Sequence, residues 1–272
     1  MHMKRKRLLA ILVITLLSVL LCGCGDKGAE QKEYIGIISA MDNEIDILLK
    51  EATIERVDTV AGVEYHIGTL HQQPVIITRS GIGKIRASSG ITTLVDNYPI
   101  SKVIFTGIAG GVADETQVLD VVVATRLLEH DYGILTNDGF KWRSGDPGYG
   151  NKDGEYYACD PQLVDLAYEA SVQVVGKEHA HKGTVATGDQ FIASEDYVSL
   201  LKEQHDAYAC EMEGAAIAAI CLNYGKPFVV IRSLSDKADG NAHDSYEDFA
   251  DRAANNSSRI VLNMLDQMKS SP

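Results

Sequence analysis

Metal and disulfide chemistry have little to work with in this sequence. Five cysteines occur, none at CxxC spacing, and no cluster of His, Cys and Asp stands at ligand spacing. The histidines of "HAH" at 179–181 have no partner cluster either, so no metal is expected. Positive charge is scarce: 25 Lys and Arg stand against 38 Asp and Glu, a formal charge of −13. Such a surface repels nucleic acid and anionic lipid, which excludes a nucleic-acid partner. Also absent, after the first few dozen residues, is any linker rich in Pro, Ser or Gly, and no repeat or low-complexity segment interrupts the chain. A length of 272 then fits one large α/β domain better than two small ones.

Long apolar runs are missing too, except at the start. "MHMKRKRLLAILVITLLSVLLCGCG" passes from a basic cluster through Leu8 to Leu21, too short for a comfortable membrane span. It reads as an export signal, with an uncleaved N-terminal anchor as the alternative. "LCGC" resembles a bacterial lipobox, with Gly23 before the cut and Cys24 as the residue that carries lipid. The expected organisation is a signal peptide over 1–23, a tether over 24–33 and a single α/β domain over 34–270, exported and membrane-anchored, or cytoplasmic if the signal is unused. Loss of Lys4, Arg5, Lys6 and Arg7 leaves 21 basic against 38 acidic side chains. Cys159, Cys210 and Cys221 then remain besides the lipid site, an odd number.

What is present alternates. "YIGIISA" is a β-type run feeding a helix whose Ile45, Leu48 and Leu49 share a face. "VEYHIGTL" and "PVIITRSG" flank "HQQ" as a hairpin, "GKIRASSGITTLVDNY" reads as helix, and "KVIFTGIAGG" as a strand ending in a glycine turn. "VLDVVVATRLLEHD" is a long strand. Residues 132–160, rich in Gly, Tyr and Asp and holding the only tryptophan, Trp142, read as a functional loop. A helix opening at Pro161, the strand "KGTVATGDQFI", a helix capped by Ser194, the strands "AYACE" and "KPFVVIRSLSD" and a final long helix follow. The alternation implies a central sheet covered by helices on both faces, with ligand chemistry outside the strand ends.

Those ends carry unusual residues. In "YACEMEGAAIAAICLNYG", Glu211 and Glu213 stand at the mouth of a segment whose next eight residues, Ala215 to Leu222, have no polar side chain, the pattern of a buried helix. Capping the helix N-terminus is the plain explanation for an acid there. Met41 and Glu44, "SGIG" at 80–83, "GDQFI" at 188–192 and "SD" at 235–236 likewise have plain readings as first-turn acids, tight turns, core and caps. Gathering at several ends of one sheet favours a shared site. "SGIGKIRAS" lacks P-loop spacing, and "GIAGGV" leads toward a strand rather than a helix, so no dinucleotide, triphosphate or other cofactor is expected.

Taken in order, "IGIISAMDNEIDILL", "SGIGK", "TGIAGGV", "TGDQFI", "ACEMEGAAIAAIC" and "VVIRSLSDKAD" make the chain similar to the bacterial 5′-methylthioadenosine/S-adenosylhomocysteine nucleosidases of the purine nucleoside phosphorylase superfamily, over about residues 34 to 265. The resemblance implies an α/β fold of three α/β/α layers with a central mixed, twisted sheet. It implies hydrolysis of the N-glycosidic bond of a 5′-modified adenine nucleoside, with Asp236 as the acid toward N7, positioned by Ser235, and Glu44 activating water. Glu213 would bind the ribose hydroxyls and Met212 would pack beneath the ribose. Phe191 would stack on adenine while the Ile192 backbone reads its edge. Glu211 near Arg232, the Met41, Ser80 and Gly81 segments, and Tyr246 at the 5′ end complete the implied binding set. A homodimer is implied as well.

Phosphorolysis is the alternative chemistry. Phosphorylases of the bacterial hexameric type place an arginine where Phe105 and Thr106 stand, although Arg79 and Arg86 remain candidates to reach in. A lipid-anchored nucleoside-binding protein without catalysis is the rival from another class. Two departures from the family, Ile108 in place of a common serine and the long 132–160 excursion, bear on the 5′ side of the substrate.

Overall fold

The computed structural model describes residues 32–143 and 156–269. The expected signal, the lipid site Cys24 and most of the tether lie outside the described residues, as does the middle of the 132–160 excursion. From Glu33 onward the described chain forms one compact unit. Among the described residues no helix is long and apolar enough to cross a membrane.

Among the described residues, twelve strands and six α-helices follow in chain order: β1 (Tyr34–Ser39), α1 (Asp42–Glu51), β2 (Thr53–Val60), β3 (Val63–Leu70), β4 (Gln73–Arg79), α2 (Lys84–Asn97), β5 (Ile100–Gly111), β6 (Val121–Glu129), β7 (Gly133–Thr136), β8 (Gly139–Trp142), β9 (Tyr157–Ala158), α3 (Pro161–Val175), β10 (Ala180–Thr187), α4 (Glu195–His205), β11 (Ala207–Glu211), α5 (Gly214–Asn223), β12 (Phe228–Asp236) and α6 (Ala242–Lys269). Ten of the strands form one mixed sheet in the order β11-β10-β6-β12-β5-β1-β4-β3-β2, with β9 beside β6. β11 also pairs antiparallel with β5 through Ala209–Gly111 and Cys210–Gly110, so β5, β12, β6, β10 and β11 close into a ring. That closure carries the C-terminal ends of β5, β11 and β12 to a common rim.

The central strands are apolar on both faces, as a helix-covered sheet requires. Every residue of β12 is buried, and α5 presents Ala215, Ala216, Ile217 and Ala218 to the interior. Asp160 caps α3 by accepting the Leu163 N–H at 2.9 Å, with Pro161 in the first turn. Ser194 caps α4 through the Tyr197 N–H.

Three features depart from the pattern expected of the sequence. β2 was not anticipated, because "TIERVDTV" is mostly exposed and shows no apolar run; antiparallel pairing with β3 forms it. The glycines of "GIAGG" do not end β5 in a turn but continue the strand to Gly111, paired on both sides with β12 and β11. The 132–160 excursion is not wholly loop: β7 and β8 form a two-stranded hairpin, and Tyr157–Ala158 adds a short strand to β6.

Candidate active site

The rim encloses a cavity of ≈ 270 Å³. Its walls come from the α1 entry (Ala40, Met41, Glu44), the β4–α2 loop (Ile82), β5 (Ile108, Ala109, Gly110) and the loop after β10 (Gln190, Phe191, Ile192). The end of β11 adds Cys210, Glu211, Met212 and Glu213, the end of β12 adds Ser235 and Asp236, and α6 adds His243 and Tyr246. Glu44, Glu213 and Asp236, far apart in sequence, therefore face one cavity. Phe191 is half exposed at its edge, with its ring set edge-on to Tyr246 at 5.8 Å, and the Tyr246 hydroxyl lies 3.6 Å from Met41 Sδ.

Each carboxylate is held differently. Glu44 sits in the first turn of α1, almost wholly buried, and accepts three backbone N–H groups: Ala40 at 2.9 Å and Met41 at 2.8 Å on Oε2, and Ile108 at 3.0 Å on Oε1. Burial raises its pKa against the opposing pull of Arg232 and those amides. Asp236 accepts the Ala238 N–H at 2.7 Å on Oδ1, while Ser235 Oγ lies 2.8 Å from Oδ2 and 3.3 Å from the Ala109 carbonyl. Burial raises this carboxyl as well, only partly offset by the Ser235 and Ala238 bonds; the negative charge of Asp239 is a small further push. The proton-favouring influence on Asp236 is thus mainly burial rather than a neighbouring acid.

Around α5 two acids divide the work. Glu211 ends β11 and takes the N–H groups at the helix start, with Oε2 accepting from Gly214 at 2.7 Å and Glu213 at 3.1 Å. Thr187 donates its hydroxyl to the same carboxylate and accepts the Ala215 N–H at 2.9 Å. Capping therefore falls to Glu211. Glu213 makes no side-chain cap; its Oε1 accepts the Gly83 N–H at 2.8 Å across 130 residues. Burial, then the charge of Glu211, raises its pKa.

Arg232, fully buried on β12, answers this negative charge. Its Nη2 lies 2.5 Å from Glu211 Oε2 and 3.6 Å from Glu213 Oε2, and its guanidinium lies 4.0 Å over the Phe105 ring. Gly107 separates it from Glu44: a Cβ there would collide with both Arg232 Nη1 and Glu44 Oε1. The absent side chain lets a guanidinium and a carboxylate approach one backbone position.

Not every expected residue reaches the cavity. Ser80 directs its hydroxyl to the carbonyls of Ser39 and Gly81, and neither Ser80 nor Gly81 belongs to the lining; Ile82 does, and Gly83 touches Glu213. Arg232 stands behind Glu211 and Glu213 instead of in the lining. Arg79 is tied to Asp42 at 3.0 Å, and neither it nor Arg86 lines the cavity. Reading the sequence missed Gln190, Cys210 and His243 as lining residues, and Gly83 and Thr187 as supports. The last two lie inside the quoted "SGIG" and "TGDQFI", but nothing local marks their partners.

As chemistry, the cavity offers a buried carboxyl on a hydroxyl-bearing strand end, a second fixed by three amides, and a third with one oxygen held by the Gly83 N–H and the other left to accept hydrogen bonds from hydroxyls. Among the lining residues no Lys or Arg stands ready to hold a dianion. An exposed aromatic at the edge suits a flat base.

Known proteins share this architecture. The profile of the phosphorylase superfamily matches residues 34–266. The 5′-methylthioadenosine/S-adenosylhomocysteine nucleosidase of Shewanella sp. (strain MR-7) is 37% identical over 235 residues, covering 86% of this chain and 97% of that protein. Among solved structures, the Helicobacter pylori 5′-methylthioadenosine/S-adenosyl homocysteine nucleosidase superposes with a TM-score of 0.76 at 29% identity, covering 88% of this chain and all of that one. The Streptococcus pyogenes S-adenosylhomocysteine nucleosidase, in complex with 5-methylthiotubericidin, gives a TM-score of 0.76 at 32% identity, covering 89% and 99%. With matches of this extent in sequence and in fold, the chain belongs to the phosphorylase superfamily and, within it, to the 5′-methylthioadenosine/S-adenosylhomocysteine nucleosidases.

Proposed function

We propose that the protein hydrolyses the N-glycosidic bond of 5′-methylthioadenosine, S-adenosylhomocysteine or a related 5′-modified adenine nucleoside, releasing adenine. The observation that carries this reading is the meeting of Glu44, Glu213 and Asp236 at one cavity, from three separate strand ends. Breaking the bond leaves positive charge on the ribose and an electron pair on the departing purine, so the reaction needs a proton for the base and a water for C1′. Asp236 supplies the proton to N7, and burial, by raising its pKa, favours the protonated form that this role needs. Ser235 suits that task because its hydroxyl bridges Asp236 Oδ2 and the Ala109 carbonyl, donating to whichever the proton on Asp236 leaves in need.

Glu44 takes the proton of the attacking water as the C1′–N9 bond breaks. Its three amide bonds fix the carboxylate in place, and its raised pKa makes it a stronger base than an exposed glutamate. Glu213 accepts hydrogen bonds from the ribose 2′- and 3′-hydroxyls, Met212 lies beneath the sugar, and Phe191 and Ile192 hold the adenine. Met41 and Tyr246 with Ile108 bound the 5′ substituent. Hydrolysis is favoured over phosphorolysis by the acids of the lining: at an effective dielectric near 20, a carboxylate about 5 Å from a unit negative charge costs roughly 3 kcal/mol. Incubation with methylthioadenosine in phosphate-free buffer, followed by adenine assay, is the test; no adenine, or adenine only when phosphate is added, sinks it.

Two coarser expectations belong here too. A homodimer is supported by large apolar side chains left in water, with Ile85 83% and Leu135 81% exposed and Ile82 half exposed at the cavity edge; sedimentation of a monomer alone would refute it. Export and lipidation at Cys24 are supported by the basic cluster and apolar run that precede "LCGC", with the enzyme domain beginning near residue 34. Intact-mass measurement of membrane-extracted protein reads the diacyl modification directly.

A further inference from the structure

Asp189 lies in the Gly188–Ile192 loop beside Phe191 and Ile192, yet its own side chain is outside the cavity lining. Its carboxylate reaches the start of α2, where Oδ1 accepts the Lys84 N–H at 2.8 Å. The neighbouring N–H, that of Gly83, goes to Glu213. α2 has no side-chain cap of its own and no acid in its first turn. Two consecutive donors at one helix start are therefore taken by two carboxylates from two different strand-end loops, one belonging to the base side of the cavity and one to the ribose side.

The other end of Asp189 is tied as well. Its N–H donates to Asp131 Oδ2 at 2.9 Å, and Asp131 Oδ1 in turn accepts Lys84 Nζ at 2.7 Å, with Glu129 also within 3.1 Å of that ammonium. Lys84 is thus bonded through its backbone to the loop and through its side chain to the residue that holds the loop. Gly83 has φ +94, and a Cβ on it would come 3.0 Å from Asp189 Oδ1, so the approach depends on glycine at that position. If the Lys84 N–H loses its acceptor, the first turn of α2 is free to fray. The Gly83 N–H then turns away from Glu213, and the loop that carries Phe191 loses its tie to α2.

We propose that Asp189 is a positioning residue for the nucleoside, fixing through the α2 start both the loop that grips the base and the carboxylate that grips the ribose. This rests on the nucleosidase reading, and the two fail separately. No adenine from the wild-type chain sinks that reading, in which case the comparison below is read as dissociation constants for methylthioadenosine. The experiment measures kcat and KM for Asp189→Ala and Asp189→Asn, each alone and with Glu213→Ala, alongside thermal unfolding of each variant. Asp189→Ala is expected to raise KM about tenfold with kcat within about twofold, and Asp189→Asn, which keeps an acceptor for Lys84, to recover most of that loss. In a Glu213→Ala background, used in place of Glu213→Gln because glutamine would still accept the Gly83 N–H, the same alanine should cost less than about threefold, because the two residues act through adjacent amides. An unchanged KM in folded Asp189→Ala, or an equal loss in both backgrounds, overturns the proposal. Should Asp189→Ala not fold, Asp189→Glu, whose longer arm misplaces the acceptor, is the second variant, and a wild-type KM there overturns it equally.

Discussion

The Gly83 amide meets Glu213 Oε1 at 2.8 Å, joining the loop after β4 to the start of α5 across 130 residues of chain. Because Glu211 already takes the helix-start amides, this contact leaves Glu213 Oε2 directed at Arg232 from 3.6 Å, with the carboxylate facing the cavity. Glu213→Gln should keep the shape and the acceptor for Gly83 but replace the other oxygen, the one left for the ribose, by an amide donor. A lost hydrogen bond costs about 0.5–1.5 kcal/mol, so kcat/KM is expected to fall roughly 2- to 10-fold. The loss should be smaller with a nucleoside that lacks the 3′-hydroxyl; an equal loss with both substrates would place Glu213 elsewhere than at the ribose.

Asp236→Asn removes the carboxyl proposed as the proton donor while keeping its size and an acceptor for Ala238. Turnover should drop by about 10²–10⁴, with methylthioadenosine binding by calorimetry little changed. Retained turnover would remove Asp236 from the acid role.

Arg232→Met leaves Glu211 and Glu213 buried without their counter-charge. Breaking a buried pair from one side costs about 3–5 kcal/mol, so the urea midpoint should fall markedly at pH 7. The loss should shrink as pH falls through the raised pKa of Glu213, which then takes up a proton and needs no counter-charge. A midpoint that did not move at any pH would mean that Arg232 is not the counter-charge on which these acids depend.

Gly107→Ala drives a methyl group into Arg232 and Glu44 at once. Overpacking of this kind costs about 1–3 kcal/mol, seen as a lower melting temperature. Activity should fall further than stability alone explains, since the carboxylate of Glu44, proposed as the base, moves with the strain.

The pH dependence follows from the sign of the Glu213 shift. Its folded pKa lies above the ordinary value of 4.5, so the native state binds a proton that the unfolded chain has already released. The stability contributed is complete below 4.5 and is lost as pH rises through the raised value. Glu44 and Asp236 act in the same direction. Buried His130 and His205, both lowered by burial, oppose them: their contribution is lost as pH falls from 6.5 through their lowered values. Melting temperatures of wild type and Glu213→Gln between pH 5 and 9 separate these. The wild type should decline relative to the glutamine variant as pH rises, and a constant difference would show that Glu213 is ionised throughout.

Much was open to reading from residues alone. Alternating apolar runs marked strands and helices, the polar-free stretch after Gly214 marked a buried helix, and the acids at strand ends marked where chemistry would lie. Those signals are local: period, composition and caps survive in a linear string. β2 escaped because an exposed edge hairpin needs no apolar run, and the glycines of β5 misled because pairing with β11, not local preference, keeps that segment extended.

The sequence by itself determined the alternating architecture, the family, and which carboxylates stand at the ends of strands. Only the tertiary structure decided which of Glu211 and Glu213 caps α5 and which faces the cavity, that Arg232 sits behind both, and that Ser80 and Gly81 yield their expected place to Ile82 and Gly83. The reason is physical. Each of those outcomes depends on a hydrogen bond or a close approach between segments far apart along the chain, and such a contact exists only once the ring of strands has closed and brought their ends to one rim.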